Sequence, residues 1–242
     1  MRKWIFAAAV AALTLALVSV AIARFYQVSN ITLTAHHAGG SSGIALYVHS
    51  RDPSALGSKP KRVTKLVVNF PANTRFDLGT SLRTKCTLTD NQIDTNFGPS
   101  CPSSSQIGTG SGIVNAMPMA PKPGVDASVK AFVTGPHSFI ILLFNDQKLL
   151  PGTTPIIIHA TVSGSQLTLA LPHVVYGQSS AQKFAGVTAV VALLKLDIPA
   201  MGSGSDALIT AGSCSRHAFL VTSHFTYANN TNAVFKSRTS CT

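Results

Sequence analysis

From Val28 to Cys241, apolar residues recur at every second position in short runs, and turn residues interrupt them about every ten residues. A segment patterned this way buries one face and leaves the other wet, which is the geometry of a strand and not of a helix. Ile31, Leu33 and Ala35 alternate with Thr32 and Thr34. Leu66, Val68 and Phe70 oppose Lys65 and Asn69, until Pro71 ends the run because proline cannot donate to a ladder. Phe219, Val221, Phe225 and Tyr227 alternate with Thr222, His224 and Thr226. Residues 156–162 and 167–171 read as a hairpin about Ser163-Gly164-Ser165, and residues 39–43 as a glycine turn. Residues 107–116 read as a strand entered through a break at Gly108-Thr109-Gly110. Two segments depart from alternation. Residues 139–144 are continuously apolar and short enough for a strand buried on both faces; residues 187–198 suit a strand or a helix, and their β-branched content assigns them to a strand.

Composition points the same way. All eight acidic residues are aspartate, lysine is sparse, and Ser, Thr, Val and Gly abound. Glu and Lys favour helices, whereas Val and Thr favour strands. About ten to twelve short strands are expected, forming an antiparallel β-sandwich. They occupy one domain over residues 24–242, or two lobes meeting near residues 117–124, where three prolines fall together.

Met1-Arg2-Lys3 precedes twenty residues, 4–23, in which only Thr14 and Ser19 are polar. Ala21-Ile22-Ala23 ends that run with the small-x-small pattern a signal peptidase reads. Residues 1–23 are expected to be a signal peptide, with an uncleaved anchor as the alternative, since a run of this length also spans ~30 Å of hydrocarbon. The protein is expected outside the cytoplasmic membrane, secreted or associated with the cell envelope.

The cysteines fit that compartment. Cys86, Cys101, Cys214 and Cys241 form an even set behind an export segment, which reads as two disulfides. Three pairings are possible; the sequential one is the most economical, each loop contributing ~3–4 kcal/mol in the chain-entropy model. A metal site would need closely spaced ligands such as Cys-x-x-Cys, and the sequence has none.

Cys101-Pro102-x-x-Ser105-x-Ile107-Gly108-Thr109-Gly110, a preceding strand ending Phe70-Pro71 and a later Val129-Lys130-Ala131-Phe132 segment resemble a family of exported actinobacterial proteins. So does the close of the chain, Cys214 followed by His224-Phe225-Thr226-Tyr227 and Cys241. The resemblance covers residues 63–242 and implies an exported, all-β protein; it carries no catalytic, cofactor or binding residues over. Tyr227-Ala228-Asn229-Asn230 stands where the family has Tyr-x-Asp-Gly.

Chemistry-bearing motifs are few. The chain carries a net charge of +11, and eight cations lie between Arg51 and Lys85. Arg51, Lys59, Lys61, Arg62 and Lys65 form the candidate anion-binding patch, suited to an anionic envelope polymer or a membrane surface. The simpler account of the patch is a solvated face. Only Phe70 and Phe76 interleave with these cations, too few for a stacking platform, so nucleic acid is not expected. Ser41 sits in a Gly-x-Ser-x-Gly pattern, but a nucleophile elbow needs a strand-to-helix turn and a strand-like segment follows. With no glutamate, a glycosidase pair would need two aspartates; Asp90 and Asp94 lie in the disulfide loop and could place oxygens around a calcium ion, but the EF-hand glycine and glutamate are missing and a polar loop is the simpler account. Eight scattered histidines show no chelating spacing. The sequence therefore reads as a non-enzymatic exported protein without metal or cofactor, with a secreted hydrolase as the alternative.

Overall fold

A computed structural model describes residues 26–51, 62–79, 84–95, 101–117, 124–144, 155–172, 174–176 and 187–242. The expected signal segment, Lys59, Lys61 and residues 118–123 lie outside them. The described strands, in chain order, are β1 (Tyr26–Leu33), β2 (Ile44–Arg51), β3 (Val63–Asn69), β4 (Arg75–Phe76), β5 (Gln106–Met117), β6 (Val125–Gly135) and β7 (Ser138–Phe144). They continue with β8 (Ile156–Ser163), β9 (Gln166–Ala170), β10 (Val174–Tyr176), β11 (Val187–Ile198), β12 (Ile209–Thr210), β13 (Ala218–Tyr227) and β14 (Asn232–Ser240). A six-residue helix, α1 (Asp90–Thr95), is the longest helix among the described residues.

One antiparallel sheet holds most of these strands in the order β1-β2-β11-β5-β6-β7-β8-β9-β3-β13-β14, with β10 added alongside β11. Strands β5 and β6, on either side of the 117–124 segment, are neighbours in it, paired from Gln106 opposite Phe132 to Val114 opposite Val125. The last strand returns to the first. The Ile31 amide of β1 donates to Ser237 Oγ of β14 (3.0 Å), and Ser29 Oγ of β1 bonds Ser223 Oγ of β13 (3.2 Å). The sheet is thus a nearly closed barrel, which corrects the expected sandwich. Period-2 patterning fixes which face each strand buries, but both layouts bury one face per strand. Curling is set by bulges, which add local twist. They occur at Gln106/Gly108, Val133/Gly135, Val191/Leu193 and Thr226/Tyr227.

Inward residues of every long strand fill the barrel. Ile31, Leu33, Leu46, Leu66, Val68, Ile158, Leu169, Leu196, Phe219 and Phe225 share one buried cluster. Polar residues such as Lys65, His159 and Lys195 point outward and are exposed. Apolar-in, polar-out is the reverse of a lipid-embedded barrel, whose apolar band faces outward. No helix among the described residues is long and apolar enough to cross a membrane.

The apolar run of β7 is buried on both faces, as its pattern predicts. Phe139, Ile141 and Leu143 join the barrel core. Ile140 and Leu142 point outward, yet are covered with Phe132 and Ile157 by the segment that carries Cys86, Ile93 and Cys101. Cys86 and Cys101 are bonded, and the Cys86 amide donates to the Val133 carbonyl of β6 (2.8 Å). This lid is further held by Asp90, whose carboxylate meets His159 Nε2 of β8 at 3.0 Å.

The motif that carries the family resemblance is built for packing. Ser105 is fully buried, its Oγ and amide both donating to the Pro102 carbonyl (2.6 and 2.9 Å). Ile107 enters the core. Gly108 and Gly110 are not a break before β5; they lie inside it. A Cβ on Gly110 would run into the Lys195 carbonyl of β11, and one on Gly108 would come 2.9 Å from the Asp197 carbonyl. Glycine is required because β11 passes against the strand.

Cys214 and Cys241, the other sequential pair, are also bonded, and the Thr242 amide beyond them donates to the His36 carbonyl (2.7 Å). The two disulfides point to an oxidising, extracytoplasmic compartment.

Candidate functional site

The end of the barrel at which β1, β3 and β11 finish carries a separate two-stranded ribbon, β4 with β12. Its inner face is apolar: Phe76 opposes Ile209 and packs edge-on against Phe70 (5.4 Å between centroids). Its outer face turns Arg75 opposite Thr210, with Asp77 two residues on and so on the same side. Above that face lies an open cleft of about 660 Å³, lined also by Asn73, Ser205 and Ser213 and by the small residues Ala38, Gly39, Gly204, Ala207, Ala211 and Gly212. The absence of bulk in its walls is what leaves the space.

Three connections wall the cleft, each tied by backbone hydrogen bonds. The 37–40 turn is held from both sides, Gly39 donating to Ala211 (2.9 Å) and Ala211 to Gly40 (2.8 Å). In the turn at 71–74, Ala72 accepts from the Ser213 amide (2.8 Å), and Thr74 Oγ1 accepts from Gly212 (3.2 Å) while donating to Pro71 (2.7 Å). The 201–208 connection closes on itself, Leu208 donating to Met201 (2.8 Å). Asn73, Gly39 and Gly204 hold positive φ of 66°, 75° and 57° around the rim. Ser213 adjoins the Cys214 disulfide, which fixes that wall covalently. Among the described residues no carboxylate pairs with Arg75, and its guanidinium has no hydrogen-bond partner.

From this end a basic face runs along the barrel exterior. Cross-strand register sets Asn69, Thr222 and Lys236 in one outward row and Val67, His224 and Val234 in the next. Lys65, Thr226 and Asn232 make a third row, and Arg238 lies opposite Leu220. The Arg238 guanidinium donates to the Arg216 carbonyl (3.1 Å), three residues from Ser213 in the cleft wall. Strands β9, β3, β13 and β14 contain no acidic residue at all.

Of the sequence-predicted patch, Lys65 is exposed on this face, and Arg62 precedes β3 with its Nε buried and without a hydrogen-bond partner among the described residues. Arg51 ends β2, a strand at the far side of the β1–β14 seam, and Lys59 and Lys61 lie outside the described residues. Sequence reasoning missed Lys236 and Arg238, which join Lys65 only through the β3–β13–β14 register. Arg75 is one of the eight cations between Arg51 and Lys85, and the cleft beside it comes from the fold.

The hydrolase candidates are placed differently. Ser41 lies in a bridge opposite Thr210, and its hydroxyl donates to the Gly202 carbonyl (3.0 Å). Among the described residues no general base stands in hydrogen-bond contact with it. Asp90 is engaged by His159. Among the described residues no three His, Cys, Asp or Glu side chains gather as a metal site.

One buried polar group departs from its ordinary titration. Tyr227 of β13 donates to Gln27 Oε1 of β1 (3.4 Å), which also accepts from Ser50 of β2 (2.7 Å). Burial pushes the Tyr227 hydroxyl up to about 12. No protein-family model matches the chain, and no curated protein or solved structure does.

Proposed function

We propose that this is an exported, non-enzymatic protein of the cell envelope that binds an anionic envelope polymer through the outer face of β9, β3, β13 and β14. One observation carries the reading: four neighbouring strands present Lys65, His224, Lys236 and Arg238 with no acidic side chain among them. A face that carries cations and no acid attracts a polyanion and leaves no repulsive point along its path. A polymer is favoured over a lipid surface because, among the described residues, Leu220 and Val234 are the exposed large hydrophobics, a thin anchor for an acyl layer.

Retention of the full protein on purified envelope, measured across a salt series, tests this. Exposed charges are screened over ~8 Å at physiological ionic strength, so retention should fall steeply as salt rises. The triple variant K65E/K236E/R238E should elute with the unbound fraction while keeping its fold by circular dichroism. Retention indifferent to salt, or undiminished in the triple variant, would overturn the proposal. Binding to anionic phospholipid vesicles but not to delipidated envelope would replace the polymer with lipid.

A further inference from the structure

We propose that the cleft over the β4–β12 ribbon is a binding site for a carboxylated sugar, with the carboxylate on Arg75 and ring hydroxyls on Asp77. The inference rests on the polymer reading above and names the unit of the polymer that the protein grips. Arg75 supplies a planar fork of donors that matches a carboxylate at two points, and among the described residues its guanidinium has no competing partner. Asp77, on the same side of β4, accepts from the Gly79 amide at 3.3 Å and has acceptor capacity left for ring hydroxyls. Asn73, Ser205 and Ser213 add neutral donors and acceptors around the rim. A ligand satisfying this set carries one anionic group and several hydroxyls, the description of a uronic acid.

Size and stiffness agree. At about 660 Å³ the cleft falls within the range of small-ligand sites, with room beyond a single amino acid. Its walls are held by backbone hydrogen bonds and by the Cys214–Cys241 disulfide, so binding orders little of the protein, and such preorganisation favours affinity. The open mouth suits a residue within a chain. The basic face leads to the same end of the barrel through Lys236, Arg238 and Arg216, so one polymer can seat a sugar in the cleft while its remaining charges lie along that face.

Isothermal titration of the full, oxidised protein with digalacturonate, against its dimethyl ester, tests the assignment. The acid should bind and the neutral ester should bind at least about tenfold more weakly, a difference of ~1.4 kcal/mol. R75Q should lose the acid by a similar factor with an unchanged melting temperature, because Arg75 is exposed. K236E/R238E should keep digalacturonate binding, which separates the cleft from the face. Equal affinity for acid and ester, an R75Q variant that binds as wild type, or preference for a zwitterionic dipeptide would overturn the proposal. Envelope retention without digalacturonate binding would refute the cleft and leave the polymer reading standing; the converse would refute the polymer reading and leave the cleft.

Discussion

Replacing Gly110 by alanine should be among the most damaging single-methyl additions in this protein. Gly110 faces inward on β5, opposite Leu196 of β11, and the new Cβ would collide with the Lys195 carbonyl. That oxygen belongs to the backbone of the neighbouring strand, so no side chain can rotate to make room. Either the ladder opens locally or β11 shifts as a unit. Overpacking of a tight site costs about 1–3 kcal/mol, and an immovable backbone obstacle puts this case at the upper end. For a chain of this size ~1 kcal/mol moves the melting temperature by ~2–4 °C, so a loss of roughly 6–12 °C is expected. Two controls grade the effect. At Gly112 the nearest atom, the Leu193 carbonyl oxygen, is 3.0 Å away, and Gly112→Ala should cost markedly less. At Gly164 nothing lies within 4 Å, and a φ of +57° leaves only the left-handed penalty of ~1 kcal/mol. Thermal unfolding followed by circular dichroism, with disulfides intact, measures all three. A Gly110→Ala protein melting within about 1 °C of wild type, or no lower than Gly112→Ala, would refute close strand approach as the reason for the glycine.

The disulfides should contribute unequally to different functions. The 15-residue and 27-residue separations correspond to ~3 and ~3.5 kcal/mol of loop-closure entropy. In urea titration, C86S/C101S should lose that and also expose the outer face of β7, while C214S/C241S should additionally weaken digalacturonate binding by loosening the Ser213 wall. Tyr227 sets a limit at high pH. Its hydroxyl holds its proton to about 12 in the fold, against ~10 in an unfolded chain, so unfolding releases the proton first and stability falls as pH rises from ~10 towards 12. Tyr227→Phe should flatten that decline in urea titrations at successive pH values; an unchanged slope would remove Tyr227 as its source.

Strand positions and inward faces follow from the sequence because period-2 burial is local information. β3, the β8–β9 hairpin and β13 lie where alternation and turn residues put them. Both-face burial of β7 was legible too, since only a doubly covered strand tolerates apolar residues from Phe139 to Leu143 without a break. What covers it was not: the lid comes from the segment that carries Cys86, Leu88, Ile93 and Cys101, brought there by chain topology. Closure into a barrel, the pressing of β11 against Gly110, and the placing of Lys65, Lys236 and Arg238 on one face all depend on register between strands far apart in the chain. The cleft shows the same division. The space above Arg75 and Asp77 exists only because turns at 37–40, 71–74 and 201–213 converge. Local patterning determines which side of a strand is wet; only the assembled sheet decides which wet residues share a surface.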